Sequence, residues 1–498
     1  MPQTVILYNP TPSPAPRPGV PIALLALARM LPPKRFRALV VNATADRQPH
    51  RRVMEEARHA LLLGITCMTG YQIRDGLLLA RRVRDRFPGL PIVWGGYHPS
   101  LLPEETLQDP RVDIVVRGQG ELPFAALVER LAAGETAQGI PGVVGSRWQA
   151  TPPTPPESLD AFPFLAWDLI DLAHLPQAAE GGAAVDFYTS QGCPYACRFC
   201  AEPAMHGRHR VTLSPRRAVD EIEFLARRGV RAFHLRDTLF FADISWVEEF
   251  CAEILRRDLH VCFYNANGRV NTLLRLENKQ WEVLEKAGFR EILLGVESGH
   301  PPALERIAKG IRPEQTVELF ERAAHTQIRF WLSVMIGLPG VDAEAEFSDT
   351  VGFLRHLVAA RPEQVSACYI FAYIPYPGSA LYEEAISLGF HPPSRLEDWG
   401  RITFDGVRYP WGSNRRRRQA SQITRYIMPR ILEMEPSRYR IVERICRTLD
   451  PLLRRRWETG HFDLFWERAV YAGFNWLRRF RRWPRSGPSR RSGPSPGA

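Results

Sequence analysis

Short runs of β-branched and aliphatic residues alternate with stretches whose apolar positions recur every three to four residues, and this rhythm fills most of the chain. In the first part the runs are TVILY (from Thr4), RALVV (from Arg37), LLLGITC (from Leu61), PIVWGG (from Pro91) and DIVVRG (from Asp113). Helix-period segments such as IALLALARML and IRDGLLLARRVRDRF lie between them. Strand, helix, strand in this order predicts a parallel, doubly wound α/β sheet with its ligand crevice beyond the carboxyl ends of the strands. The proline-rich stretch QATPPTPPESLDAFPF then breaks the pattern and reads as a linker. From Asp186 the rhythm resumes with six strand candidates: DFYTSQG, AFHLRD, CFYNANGR, EILLGVESG, FWLSVMIGLPG and VSACYIFAYIP. A helical stretch follows each of the first five, which predicts a partial (β/α)6 barrel open on one side. Past about His391 the pattern becomes Arg-rich and helical, and PRSGPSRRSGPSPGA at the end reads as disordered. The expected organisation is a first domain at 1–150, a linker at 151–180, the barrel at 181–390, a helical domain at 391–483 and a disordered tail at 484–498.

Cysteine placement changes the picture from fold to chemistry. Five of the eight cysteines (Cys67, Cys251, Cys262, Cys368, Cys446) stand singly in apolar segments, where a free thiol acts as a small buried hydrophobe. The other three, Cys193, Cys197 and Cys200, crowd into SQGCPYACRFC as C-x3-C-x2-C. Three thiols on one short loop cannot pair off completely, so the spacing points to metal or redox chemistry. The loop follows the first barrel strand, at the carboxyl end where such barrels carry their active sites. Soft thiolates select zinc or iron–sulfur clusters; four close a site, whereas three leave a position for an exogenous ligand. A Cys3His zinc knot completed by His206 or His209 is the alternative at this point, although such knots usually staple small modules that lack a core of their own.

The C-x3-C-x2-C loop after a first barrel strand resembles the radical S-adenosylmethionine (radical SAM) superfamily, over residues 186 to about 385. The resemblance implies a TIM-type radical SAM barrel in which Cys193, Cys197 and Cys200 bind a [4Fe-4S] cluster whose remaining iron takes S-adenosylmethionine. It further implies that Phe199 packs near the adenine and that Asp237, in HLRDTLFF, meets the ammonium group. Arg269 ends the third strand, Glu297 and Ser298 lie near the ribose or methionine moiety, and Gly337, in MIGLPG, lets backbone approach the adenine.

A doubly wound domain ahead of that barrel, with GITCMTGYQ after one strand and WGGYHPSLLPEE after the next, resembles the cobalamin-binding class of the same superfamily, whose first domain is flavodoxin-like. The cobalt-ligating D-x-H-x-x-G stretch of the wider fold has no counterpart in NPTPSPAPRPGVP, so the resemblance implies cobalamin bound without a protein imidazole on cobalt. Gly95 and Gly96 would let backbone pass close to the corrin, Thr66 and Thr69 offer hydroxyls, and His98 is either a corrin contact or a helix-start residue. GQGE, from Gly118 to Glu121, lacks the full phosphate-loop fingerprint.

The formal net charge of +11 is carried almost wholly by arginine and fits either an anionic partner or genomic composition. RRRRQA (from Arg415) and FDLFWERAVYAGFNWLRRFRRW set arginines beside aromatic residues. Such a helix covers the barrel, or else lies on an anionic membrane surface; nucleic acid ranks last, because no RNA-binding module accompanies it. No leader pattern and no bilayer-length apolar run is present, which predicts a cytoplasmic protein, with membrane association open through the basic helix. The resemblance implies a C-methyltransferase that uses a 5′-deoxyadenosyl radical and methylcobalamin on an unactivated carbon of a small-molecule or lipid-like substrate. Its electron donor would be a flavodoxin or ferredoxin. The alternatives are an oxidative cyclase or rearrangement enzyme of the anaerobic Mg-protoporphyrin monomethyl ester cyclase type, and a zinc-stabilised binding protein. No catalytic acid or base is assigned.

Overall fold

The computed structural model describes residues 2–463 apart from 14–18, 147–151, 153–157, 180, 404–406, 409 and 433–439. The first domain is a six-stranded sheet in the order β2-β1-β3-β4-β5-β6, formed by β1 (Gln3–Asn9), β2 (Phe36–Asn42), β3 (Ala60–Thr66), β4 (Ile92–Gly95), β5 (Ile114–Val116) and β6 (Val143–Gly145). The five expected strands are present and parallel; β6 adds an antiparallel edge that the sequence pattern did not suggest. Chain direction across the sheet reverses between β1 and β3, so a crevice opens where the helices on either side diverge. Its strands are apolar on both faces, as helices on both sides require: Val5, Ile6, Leu7 and Tyr8 are all fully buried.

The second sheet system runs through β7 (Ala183–Phe187), the hairpin β8 (Ser190–Gln191) and β9 (Val211–Thr212), then β10 (Val230–Leu235), β11 (Cys262–Tyr264), β12 (Ala266–Arg269), β13 (Glu291–Glu297), β14 (Arg329–Ile336) and β15 (Val365–Ala372). Parallel pairing gives β7-β10-β11 and β12-β13-β14-β15, six strand positions in an open barrel. The run CFYNANGR, expected as one strand, is split because Asn265 adopts a left-handed backbone (φ 56°). Asparagine tolerates that region better than other side-chain-bearing residues. Its amide is held between His234 Nδ1 (2.9 Å) and Glu291 Oε1 (3.0 Å). The covering helices begin where the sequence supplies caps: Ser214, Asp243 and Asp342 each accept a backbone N–H from the first turn.

Two expected boundaries differ from the packing. The described part of the linker is a seated strap: Leu159, Phe162, Leu165 and Trp167 are buried, and Glu221 Oε1 accepts from Leu165 N (2.8 Å) and Trp167 Nε1 (2.6 Å). The barrel does not hand over to a separate domain at 391 either. Tyr382, Phe390, Leu396 and Trp399 join the core of the first domain alongside Ile73, Leu77 and Trp94. Residues 1–421 form one compact unit and 422–498 another. In the latter, Arg430 and Asp450 pair through both carboxylate oxygens at 2.6 and 2.7 Å. The tail at 484–498 and the aromatic, arginine-rich stretch past Asp463 lie outside the described residues.

Candidate active site

The cysteine loop is fixed by its first turn. Gly192 has φ 80°, and a Cβ there would stand 2.0 Å from the carbonyl oxygen of His209. Only glycine fits where the loop leaves β8 and presses on the strand that returns as β9. Beneath the loop, Thr189 N, Thr189 Oγ1 (2.6 Å) and Ser190 Oγ (2.6 Å) all donate to the Asp237 carboxylate, which is fully buried. Burial lifts this carboxyl above its usual range, opposed by those hydrogen bonds and by the charge of Arg210. Asp237 was expected to meet an ammonium group. Its oxygens instead accept from Thr189 and Ser190, where β7 leads into β8, which makes it the anchor of the loop.

Cys197 is buried, while Cys193 and Cys200 are partly exposed. Burial pushes the Cys200 thiol up to about 12, with Glu202 and the two other cysteines adding to the effect. Burial likewise raises the Cys193 thiol, so a bound cation would favour the thiolate form of both Cys193 and Cys200. Among the described residues no three His, Cys, Asp or Glu side chains converge on a point that would hold a single ion.

Around the loop lie buried charges. Arg269 donates through Nη1 to Cys197 Sγ (2.8 Å), and its guanidinium lies 3.9 Å over the Tyr195 ring. Glu297 sits at the end of β13 with φ 64° and pairs with Lys309 Nζ at 2.5 Å. Lys309 Nζ in turn is 6.0 Å from the Phe199 ring centre. Ser298, expected beside a ribose or methionine moiety, is fully buried and bonded to Thr350 Oγ1 (2.9 Å) and His300 N (3.0 Å), so it braces the turn instead.

Gly337 has φ 82° and donates its N–H to Glu346 Oε2 at 2.6 Å. Burial raises the Glu346 carboxyl to about 7 from an ordinary 4.5. Across that window the folded chain holds a proton that the unfolded chain releases, so stability is greatest below pH 4.5 and declines as pH rises toward 7. We expect a decline on the order of 3 kcal/mol. In Glu346→Gln this slope is expected to flatten, as read by urea denaturation across pH.

The first domain faces the same loop. One cavity is lined by Leu7, Thr66, Gly95 and Gly96 at the carboxyl ends of β1, β3 and β4, by Gly118 and Gly120, and by Ser190, Gln191 and Gly192 from the cysteine side. Gly96 (φ 94°) leaves no room for a side chain: a Cβ would lie 2.8 Å from Cys67 O and 3.0 Å from Thr66 Oγ1. Thr69 and His98 do not line this cavity. His98 is buried, its Nδ1 bonds Thr69 Oγ1 at 3.0 Å, and it packs against Trp399; burial lowers its pKa to about 4, so it is neutral. It stands in the short helix Tyr97–Leu101, and its Nε2 is buried with no hydrogen-bond partner among the described residues.

Sequence reasoning missed the residues that join the two halves. Tyr97, next to Gly96, donates its hydroxyl to Glu202, two positions past the last cysteine. Arg29 bonds both Glu121 Oε1 (3.0 Å) and the Tyr188 hydroxyl (3.3 Å). An acid two positions past the third cysteine was the available signal for Glu202; nothing local marks Arg29 or Tyr188. Tyr97→Phe leaves one Glu202 oxygen buried without its donor, and we expect a loss of about 1–3 kcal/mol, measured by chemical denaturation.

Comparison with known proteins agrees with this arrangement. The family profile described as B12 binding domain matches residues 14–128, and that described as Radical SAM superfamily matches 187–354. An uncharacterized methyltransferase of Pyrococcus horikoshii is 28% identical over 66% of this chain and 69% of its own length. The anaerobic magnesium-protoporphyrin IX monomethyl ester cyclase of a Synechocystis strain is 26% identical over 58% of this chain, which spans 57% of the cyclase. Among solved structures, the radical S-adenosylmethionine methyltransferase TsrM of Kitasatospora setae, with tryptophan and a SAM analogue bound, superposes with a TM-score of 0.63 at 18% identity. That match covers 96% of this chain and 100% of TsrM and is a likeness of fold. With both domains matched in this order, the chain belongs to the radical SAM superfamily, among its members that carry a B12 binding domain.

Proposed function

We propose that the chain is a cobalamin-dependent radical SAM C-methyltransferase acting on an unactivated carbon of a small molecule. The observation that supports this best is the single cavity between the carboxyl edge of the first-domain sheet and the cysteine loop, because methyl donor and radical source must reach the same carbon. Cys193, Cys197 and Cys200 would hold the [4Fe-4S] cluster and leave one iron for S-adenosylmethionine; Gly95, Gly96, Gly118 and Gly120 would give the corrin a wall free of side chains. When bound, these groups supply the electron, the hydrogen-abstracting radical and the methyl group.

The chain's own residues position and exclude. Asp237 and Gly192 fix the loop that carries the thiols. Tyr97 and Glu202 tie that loop to the first domain, and the buried Arg29–Glu121–Tyr188 contact seals one side of the cavity against water. His98 stays neutral within the first domain and offers no charge toward the cavity. A flavodoxin or ferredoxin would be a suitable reductant.

Oxidative cyclisation is the second reading, favoured by the similarity to the Synechocystis cyclase. Oxygen-free reconstitution with iron, sulfide and cobalamin, followed by assay with methyl-labelled S-adenosylmethionine, separates the two. Label in the product supports methyl transfer. Formation of 5′-deoxyadenosine with an unlabelled, ring-closed product overturns it in favour of cyclisation, and a colourless protein with stoichiometric zinc overturns both.

A further inference from the structure

We propose that Arg269 sets the reduction potential of the cluster through a charged hydrogen bond to the sulfur of Cys197; this inference rests on the cluster reading above. Every nitrogen of the guanidinium is committed. Nη1 donates to Cys197 Sγ at 2.8 Å, Nη2 to the carbonyl oxygen of Lys309 at 2.5 Å, and Nε to Asn271 Oδ1 at 3.2 Å. The Tyr195 ring, itself part of the cysteine loop, lies 3.9 Å from Cζ. Arg269 is 6% exposed, so the group is held without solvent to screen it.

Among the described residues no carboxylate forms an ion pair with that charge. Lys309 pairs with Glu297 at 2.5 Å and is neutralised by it, whereas the acceptors around Arg269 are an amide oxygen, a backbone carbonyl and a thiol. Of these three hydrogen-bond acceptors, Cys197 is the one that becomes anionic when it ligates metal. A cubane on three thiolates is anionic in both redox states and more so after taking up one electron. A buried cation bonded to a ligand sulfur therefore stabilises the reduced state more than the oxidised one, and hydrogen bonds to cluster sulfurs and local charge set such potentials. The low local dielectric strengthens the effect. Arg269 acts through Cys197 and is a positioning residue, not a catalytic one.

The test is an oxygen-free redox titration, with dithionite as electron donor and the reduced cluster followed by electron paramagnetic resonance. Reconstituted wild-type protein is compared with Arg269→Gln and Arg269→Lys at matched iron and sulfide content. We expect a more negative midpoint in Arg269→Gln. Lysine keeps a charge but lacks the planar fork, so a smaller shift in the same direction is expected in Arg269→Lys. A wild-type midpoint in Arg269→Gln overturns the proposal; if that variant fails to load a cluster, a wild-type midpoint in Arg269→Lys overturns it. Wild-type protein that takes up no cluster would remove the reading on which the inference rests, an outcome distinct from an unshifted variant.

Discussion

Gly192→Ala is expected to abolish cluster uptake as completely as removal of a cysteine, although it touches no thiol. The residue combines φ 80° with a Cβ position 2.0 Å from His209 O. The left-handed conformation costs a non-glycine residue about 1–2 kcal/mol. The collision is the larger problem, because its partner is backbone and cannot turn aside. Relief requires the β8–β9 pairing to open, and with it the path of the chain into Cys193. Iron and sulfide content after oxygen-free reconstitution should fall to background, while the first domain retains its fold by hydrogen exchange. Wild-type iron content in Gly192→Ala would refute this account of the loop.

The second large effect is expected at Asp237. Asp237→Ala strands Thr189 N, Thr189 Oγ1 and Ser190 Oγ in a buried site. Leaving buried donors unpaired costs about 1–3 kcal/mol each, so a total loss of roughly 3 kcal/mol or more is expected from denaturant midpoints. Iron content should fall in parallel, since Thr189 and Ser190 lead directly into the cysteine loop. A variant with full stability and normal iron would restore the ligand-facing reading of Asp237.

The contrast at Asp237 marks how far the sequence could be read. Strand–helix alternation disclosed both sheets, and the crowding of Cys193, Cys197 and Cys200 disclosed the site, because period and spacing are local properties. Whether a strand-end acid faces a ligand or the neighbouring strand is not local: HLRDTLFF contains nothing to say that Thr189 and Ser190 have already claimed Asp237. His98 Nδ1 and Ser298 Oγ likewise bond residues 29 and 52 positions distant. Asn265 interrupts a run that reads as continuous strand, since its left-handed turn is sustained by His234 and Glu291, on other strands. Arg29, Tyr97 and Glu202 carry the junction through single contacts between domains, which leave no periodic trace.

The return of residues 382–399 into the first-domain core bears on how such proteins can be recombined. Trp399 and Leu396 fill space beside Ile73, Leu77 and Trp94, so the amino-terminal module is completed by chain that emerges only after the whole barrel has been synthesised. A fragment ending near residue 146 would expose that apolar surface and aggregate. Exchange of this module between relatives would succeed only if the later segment travels with it, and during synthesis on the ribosome the amino-terminal half must wait, unfinished, for its last wall.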